Sequence, residues 1–230
     1  MAKVYIGVGH GGSDPGAVGN GLKEKDLNLA IALSCRDVLT RHGVNVSMSR
    51  TEDKTRSLGG YIQECNSYAP DYAVDIHNNA GGGDGAEVYC SINGGKGKTL
   101  AGNVLSAIVA ETGQNSRGIK TRTNSSGADY FGFIRSTNAP AIIVECAFVD
   151  NSKDIAIIDT AAEQKAMGAA IAKGILKTLN IAYKEEASAP VVDNGKLYRV
   201  QVGAFKSKEN AEKLQQQLKT AGYDTFIVEN

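Results

Sequence analysis

Three short apolar runs, KVYIGV (3–8), YAVDI (72–76) and AIIV (141–144), each lead within two residues to a side chain capable of chemistry: His10, His77 and Glu145. A continuous apolar run rich in β-branched residues reads as a strand covered on both faces, inside a sheet and not at its edge. In an open α/β sheet, ligands bind in the crevice at the carboxyl ends of the strands, so residues that close such runs can converge there.

The segments between these runs fit that frame. From Glu24, the apolar residues Leu27, Ile31, Cys35, Val38 and Leu39 recur at helical spacing, and Gly43 follows the last turn as a helix-ending residue. A strand is predicted over 44–49, a helix over 57–68 stopped near Pro70, strands over 72–77 and 86–91, and a helix over 97–112. A polar, glycine-dotted loop (113–130) precedes the AIIV strand, and a helix is predicted over 160–179. Strands and helices in alternation argue for an α/β fold: an open, mostly parallel sheet with helices on both faces.

Beyond Tyr183 the periodicity lapses. KEEASAPVVDNG has linker composition, so the chain divides into a larger domain (1–183), a linker (184–196) and a tail (197–230). In the tail Tyr198, Val200, Val202 and Ala204 alternate with polar residues as in a strand. Ala211, Leu214, Leu218 and Ala221 mark a helix ended by Gly222, and TFIV supplies a second strand. Such a βαβ unit is below the roughly 40 residues usually needed to bury a stable core unaided, so it needs a partner.

Composition narrows the function. With 25 Lys plus Arg against 25 Asp plus Glu, the chain carries no net charge, which excludes nucleic-acid binding by bulk charge. The opening MAKVYIGVGHGG holds too short an apolar run for a signal h-region or a membrane span, so synthesis without an export signal is expected. Cys35, Cys65, Cys90 and Cys146 form no CxxC pair and are expected as buried thiols.

Of the three histidines, His42 fits the end of a helix, where a partly cationic ring is favoured, whereas His10 and His77 follow buried strands. Glu145 closes a buried strand, where a carboxylate is costly unless it serves a metal, a proton transfer or a salt bridge. Glu24 at a helix start is already favoured by the helix dipole, and its company gives it further meaning. Two His and one carboxylate leave one tetrahedral position open, the pattern of catalytic zinc, and a further unliganded Glu can take a proton from water. GHGGSDPG could instead cradle phosphate, but it lacks the Lys-Ser/Thr ending of a P-loop and GxGxxG spacing.

Four blocks in order, GHGGSDPGAVGNGLKEKDLNLAIAL, SRTED, DIHNNAGGG and APAIIVECAFVDN, make residues 4 to about 180 resemble the zinc-dependent N-acetylmuramoyl-L-alanine amidases of the type 3 family. The resemblance implies zinc ligands His10, Glu24 and His77, with Glu145 in the catalytic glutamate position. The implied substrate is peptidoglycan, cleaved at the amide joining the lactyl group of N-acetylmuramic acid to L-alanine. The implied setting is lysis of a bacterial cell wall, by a phage endolysin or a mother-cell lysin. Two departures are visible: Tyr61 where the family usually has Arg, and Asp75 where Ser often precedes the Ile-His pair; neither is expected to touch the proposed ligands.

YRVQVGAFKSKENAEKLQQQL and AGYDTFIV resemble half of a sporulation-related (SPOR) peptidoglycan-binding domain, whose members carry two such units. A homodimer is therefore expected, two tails completing one four-stranded sheet. Other readings are a zinc peptidase or deacetylase acting on another amide, which a wall-binding tail disfavours, and a non-catalytic wall-binding protein. The presence of all four site residues weighs against the latter.

Overall fold

The computed structural model describes residues 1–185, 201–223 and 225–228, and the chain separates into two units, Met1–Glu185 and Glu186–Asn230. The first unit opens with β1 (Lys3–Val8), a short hairpin of β2 (Val18–Gly19) and β3 (Leu22–Lys23), and helix α1 (Glu24–Arg41). There follow β4 (Asn45–Met48), α2 (Leu58–Tyr68), β5 (Tyr72–Asn79), β6 (Ala86–Cys90), α3 (Gly95–Thr112) and β7 (Ser116–Lys120). Helix α4 (Gly132–Ser136), β8 (Ala141–Phe148), α5 (Ser152–Ile155) and α6 (Ala161–Thr178) complete it.

Six strands form one sheet in the order β4-β1-β5-β8-β6-β7. Every neighbouring pair is parallel except β6 with β8. The three apolar runs become β1, β5 and β8, adjacent at the centre of the sheet, as their two-sided burial requires. Helices α1, α3 and α6 bury one face around Ile31, Ile108 and Ile171, and α2 and α4 cover the other around Tyr61 and Phe133. Helix α6 crosses its neighbours through Gly168 and Gly174. A Cβ on Gly168 would stand 2.4 Å from the Ile31 carbonyl oxygen, and one on Gly174 would stand 2.4 Å from the Val104 Cα. Larger residues there would push the helix layer off the sheet.

Ser57 caps α2 through the Gly60 N–H, and Thr160 with Glu163 forms a reciprocal capping box on α6. His42 ends α1 as expected, its Nδ1 2.7 Å from the Val38 carbonyl. All four cysteines are buried free thiols.

Three features differ from the expectations. The 113–130 loop contains β7, an edge strand whose polar, glycine-interrupted SRGIK gives no apolar periodicity. Helices α4 and α5 are only one turn each, too short for a repeating stripe. Strand β8 runs four residues past Val144, so Glu145 lies within the strand and not at its end.

In the second unit the expected helix is present as α7 (Lys208–Thr220). The strands expected on either side are not formed among the described residues: 201–205 and 225–228 make no ladder. A strand exists only with a neighbour to take its backbone hydrogen bonds, and among the described residues neither segment pairs with one. Val202, Phe205, Phe226 and Val228 stand exposed instead, and no residue of α7 is buried. The predicted linker (184–196) and the start of the first tail strand lie almost wholly outside the described residues. Among the described residues, no helix is long and apolar enough to cross a membrane.

Candidate metal centre

His10 stands on the turn after β1, with φ of 62°, a left-handed backbone conformation uncommon outside glycine. Glu24 is the first residue of α1, and His77 lies near the carboxyl end of β5. The three offer ligand atoms all within 4.8 Å of one another. Oε2 of Glu24 is 3.1 Å from His10 Nε2 and Oε1 is 2.9 Å from His77 Nδ1, so one buried carboxylate bridges two imidazoles. The rings meet edge to face, their centroids 5.3 Å apart.

The carboxylate is tightly held. Glu24 accepts hydrogen bonds from the Ala17 and Asn78 backbone N–H groups and from Asn28 Nδ2. Asn28, itself fully buried, also accepts from Asn78 Nδ2 and donates to the Gly9 carbonyl. Burial works against charge on Glu24, yet hydrogen bonds from His10, His77 and Ala17, with the charge of His77, outweigh it and hold the carboxyl well below the usual range. The hydrogen bond to Glu24 raises His10. Burial favours a neutral His77, but Asp75, Glu24 and Glu145 together carry that ring well above its ordinary value.

Arg50, from the SRTED block, is the largest of the fully buried side chains and supports the loop bearing His10. Its guanidinium donates to the carbonyls of Val8, Gly9, Lys25 and Glu52 at 2.7–3.3 Å, tying β1, the His10 turn and the start of α1 together. Arg50→Ala removes these four hydrogen bonds and leaves a cavity behind, a loss of about 3 kcal/mol or more. The melting temperature followed by circular dichroism is expected to fall by roughly 6–12 °C. An unchanged melting temperature would contradict this role.

Glu145 pairs in register with His77 on one side and with Glu87 on the other. Burial first, then the charges of Glu24, Glu87 and Asp75, push its carboxyl up to about 7, against the lowering effect of His77. A carboxyl near 7 suits a group that must both accept and return a proton. Glu87 is buried and fixed by Arg117 Nε at 2.8 Å, Asn79 Nδ2 at 3.1 Å and the Tyr89 hydroxyl at 3.1 Å.

The structure therefore brings His10, Glu24 and His77 together, with Glu145 one strand away. Sequence reasoning missed Glu87, whose signal was a lone carboxylate inside a predicted strand, and Asp14, whose Oδ2 is 2.8 Å from His10 Nδ1. It also held Asp75 clear of the ligands. That is corrected: Asp75 Oδ2 lies 3.5 Å from His77 Nε2, because residues two apart on a strand share a face. Tyr61 touches no ligand but donates its hydroxyl to Asp75 at 2.9 Å.

Two imidazoles near the carboxyl ends of central strands and a carboxylate at the start of α1, beside a carboxyl raised toward neutrality, define the class: a hydrolase of α/β fold with a candidate metal centre. Residues 4–177 match the family profile described as N-acetylmuramoyl-L-alanine amidase, and the chain belongs to that family. Residues 168–229 match the SPOR domain, a match that begins inside α6. A Bacillus subtilis (strain 168) protein named sporulation-specific N-acetylmuramoyl-L-alanine amidase is 35% identical over 99% of this chain and 85% of its own length. Among solved structures, Cwp6 from Clostridium difficile superposes with a TM-score of 0.76 at 42% identity, covering 77% of this chain and 29% of that one. The catalytic domain of CwlV, an N-acetylmuramoyl-L-alanine amidase of Bacillus (Paenibacillus) polymyxa var. colistinus, gives 0.71 at 29% identity, covering 79% of this chain and 100% of its own.

Proposed function

We propose that this chain hydrolyses the amide between the lactyl group of N-acetylmuramic acid and L-alanine in peptidoglycan, with zinc held by His10, Glu24 and His77 and with Glu145 as the catalytic base. The observation that carries the reading is the convergence of those three ligand atoms within 4.8 Å, one strand from Glu145, on the sheet of an amidase family. The donor set fits the metal: two neutral nitrogens and one anionic oxygen are a zinc ligand set that leaves a position open. When bound, zinc polarises the scissile carbonyl and makes water acidic enough to be deprotonated near neutrality.

The chain's own residues do the rest. Glu24 orients both imidazoles, and Asn28, Asn78 and Arg50 keep Glu24 and the His10 turn in place. Glu145 takes a proton from the attacking water and delivers it to the departing alanine nitrogen, and the negative Glu87 and Glu24 keep it basic enough to do so. Digestion of purified peptidoglycan tests the reading. New α-amino groups are expected on L-alanine; new amino groups on another residue, or new reducing sugar ends, would refute it.

The tail supports targeting to the cell wall and pairing of chains. Its match to the SPOR domain suits glycan binding, and the end-to-end alignment with a sporulation-specific relative favours a lysin of the sporulating cell. A chain with zero net charge relies on such specific binding, because bulk attraction to anionic wall polymers is not available to it. Exposed Val202, Phe205 and Val228 favour a second tail as cover, in an isologous pair whose strands would pair with these segments. Light scattering on the full chain is expected to give twice 24.2 kDa, and a chain ended at residue 185 to give a monomer. A monomeric full chain would refute the pairing.

A further inference from the structure

Asp75 is 1% exposed, yet the residue that holds it is neutral: the Tyr61 hydroxyl donates to Oδ2 at 2.9 Å. Oδ1 has no hydrogen-bond partner. A buried carboxylate in that state is costly unless it serves a nearby charge. The available group is His77 Nε2, 3.5 Å from Oδ2, on the side of the ring opposite to Nδ1, which faces Glu24 at 2.9 Å. Adjacent strand β1 is shaped around this pair. Gly7 is in register with Asp75, and a Cβ there would stand 2.3 Å from Oδ1; a Cβ on Gly9 would stand 2.2 Å from His77 Cε1. Two glycines thus leave room for a carboxylate and an imidazole that no other residue type would admit.

We propose that Asp75, anchored by Tyr61, is a positioning residue for the metal centre, accepting the Nε2–H of His77 so that Nδ1, on the side of Glu24, is the nitrogen left to hold the metal. The inference rests on the zinc reading above. An outer carboxylate fixes a ligand histidine's tautomer and ring orientation and raises its basicity as a donor. His10 has a parallel partner in Asp14 at 2.8 Å, but that side chain is 59% exposed. The buried member of the pair carries the larger share.

The test measures zinc affinity of the full chain by competition with a chromophoric chelator. It adds the visible spectrum of the cobalt-substituted protein and the melting temperature of the metal-free form. Asp75→Ala is expected to weaken zinc binding by about 10–100-fold and to shift the cobalt bands. Asp75→Asn, which keeps an acceptor oxygen, is expected to recover part of the loss, and Asp14→Ala to lose less than Asp75→Ala. Tyr61→Phe is expected to fall between wild type and Asp75→Ala. If Asp75→Ala does not fold, the double variant with Tyr61→Phe, which leaves no unpaired hydroxyl, carries the same expectation. Zinc affinity within twofold of wild type in folded Asp75→Ala or the double variant would overturn this inference alone. A wild-type chain that binds no zinc would overturn the metal reading beneath it as well.

Discussion

Glu145→Gln is expected to lower kcat on peptidoglycan by about 10²–10⁴-fold while zinc affinity stays at the wild-type value. Glutamine keeps the volume and polarity of the side chain but cannot accept the proton of the attacking water, so binding and chemistry separate. The same variant has a stability signature. In the folded, metal-free protein the Glu145 carboxyl is pushed up from 4.5 to about 7, chiefly by burial. Between those values the unfolded chain ionises and the folded one does not, so stability is lost as pH rises from 4.5 to 7. Above 7 the penalty is on the order of 2 kcal/mol once partial exposure of the residue is allowed for. Metal-free Glu145→Gln is therefore expected to melt higher than wild type at pH 8 and alike at pH 4. Wild-type turnover, or a lower melting temperature at pH 8, would contradict the role assigned to this carboxylate.

Glu24→Gln is the second large effect and has the opposite sign. Removing a ligand's charge is expected to weaken zinc binding by more than the about 10–100-fold typical of an outer partner, and activity at ordinary zinc concentrations falls with it. Hydrogen bonds from His10, His77 and Ala17 hold the Glu24 carboxyl well below its ordinary value of 4.5 despite burial. Its contribution is present above pH 4.5 and lost as pH falls below that toward the folded value. The metal-free variant is thus expected to melt lower than wild type at pH 7, with the gap closing under acid. Two glutamates within one centre respond to pH in opposite directions because one is hydrogen-bonded in its charged form and the other is desolvated among like charges. Parallel melting curves across pH for both variants would refute that distinction.

Much of this centre was legible in the sequence because the central strands are short, continuous apolar runs. A residue that closes such a run lies near the carboxyl end of the sheet, and this singled out His10 and His77, although β8 runs on past Glu145. Glu24 was reached less firmly, through its company with the two histidines, since a helix start explains a glutamate without any metal. What escaped were residues whose meaning lies across strands. Glu87 gains its role only from the antiparallel placement of β6 against β8, which no local pattern encodes. Asp75 was readable by the two-residue period of a strand, but its cost and its partners depend on Gly7, Gly9 and Tyr61 closing around it. Strand β7 and helix α4 were missed because an exposed edge and a single turn bury too little to impose periodicity. The tail strands failed for a different reason. Alternation marks a segment as amphipathic, but a strand also needs a neighbour for its backbone, and 201–205 and 225–228 make no ladder among the described residues.

The central claim is that His10, Glu24 and His77 hold the metal on which Glu145 acts to cleave the lactyl–alanine amide. The most direct test is a zinc titration of the chelator-treated full chain on purified peptidoglycan, scored by release of L-alanine amino groups. The account predicts no release before zinc is added, full release at one equivalent per chain, and no recovery at any zinc level for Glu145→Gln. Full release from the metal-free protein, or recovery in Glu145→Gln, would contradict it.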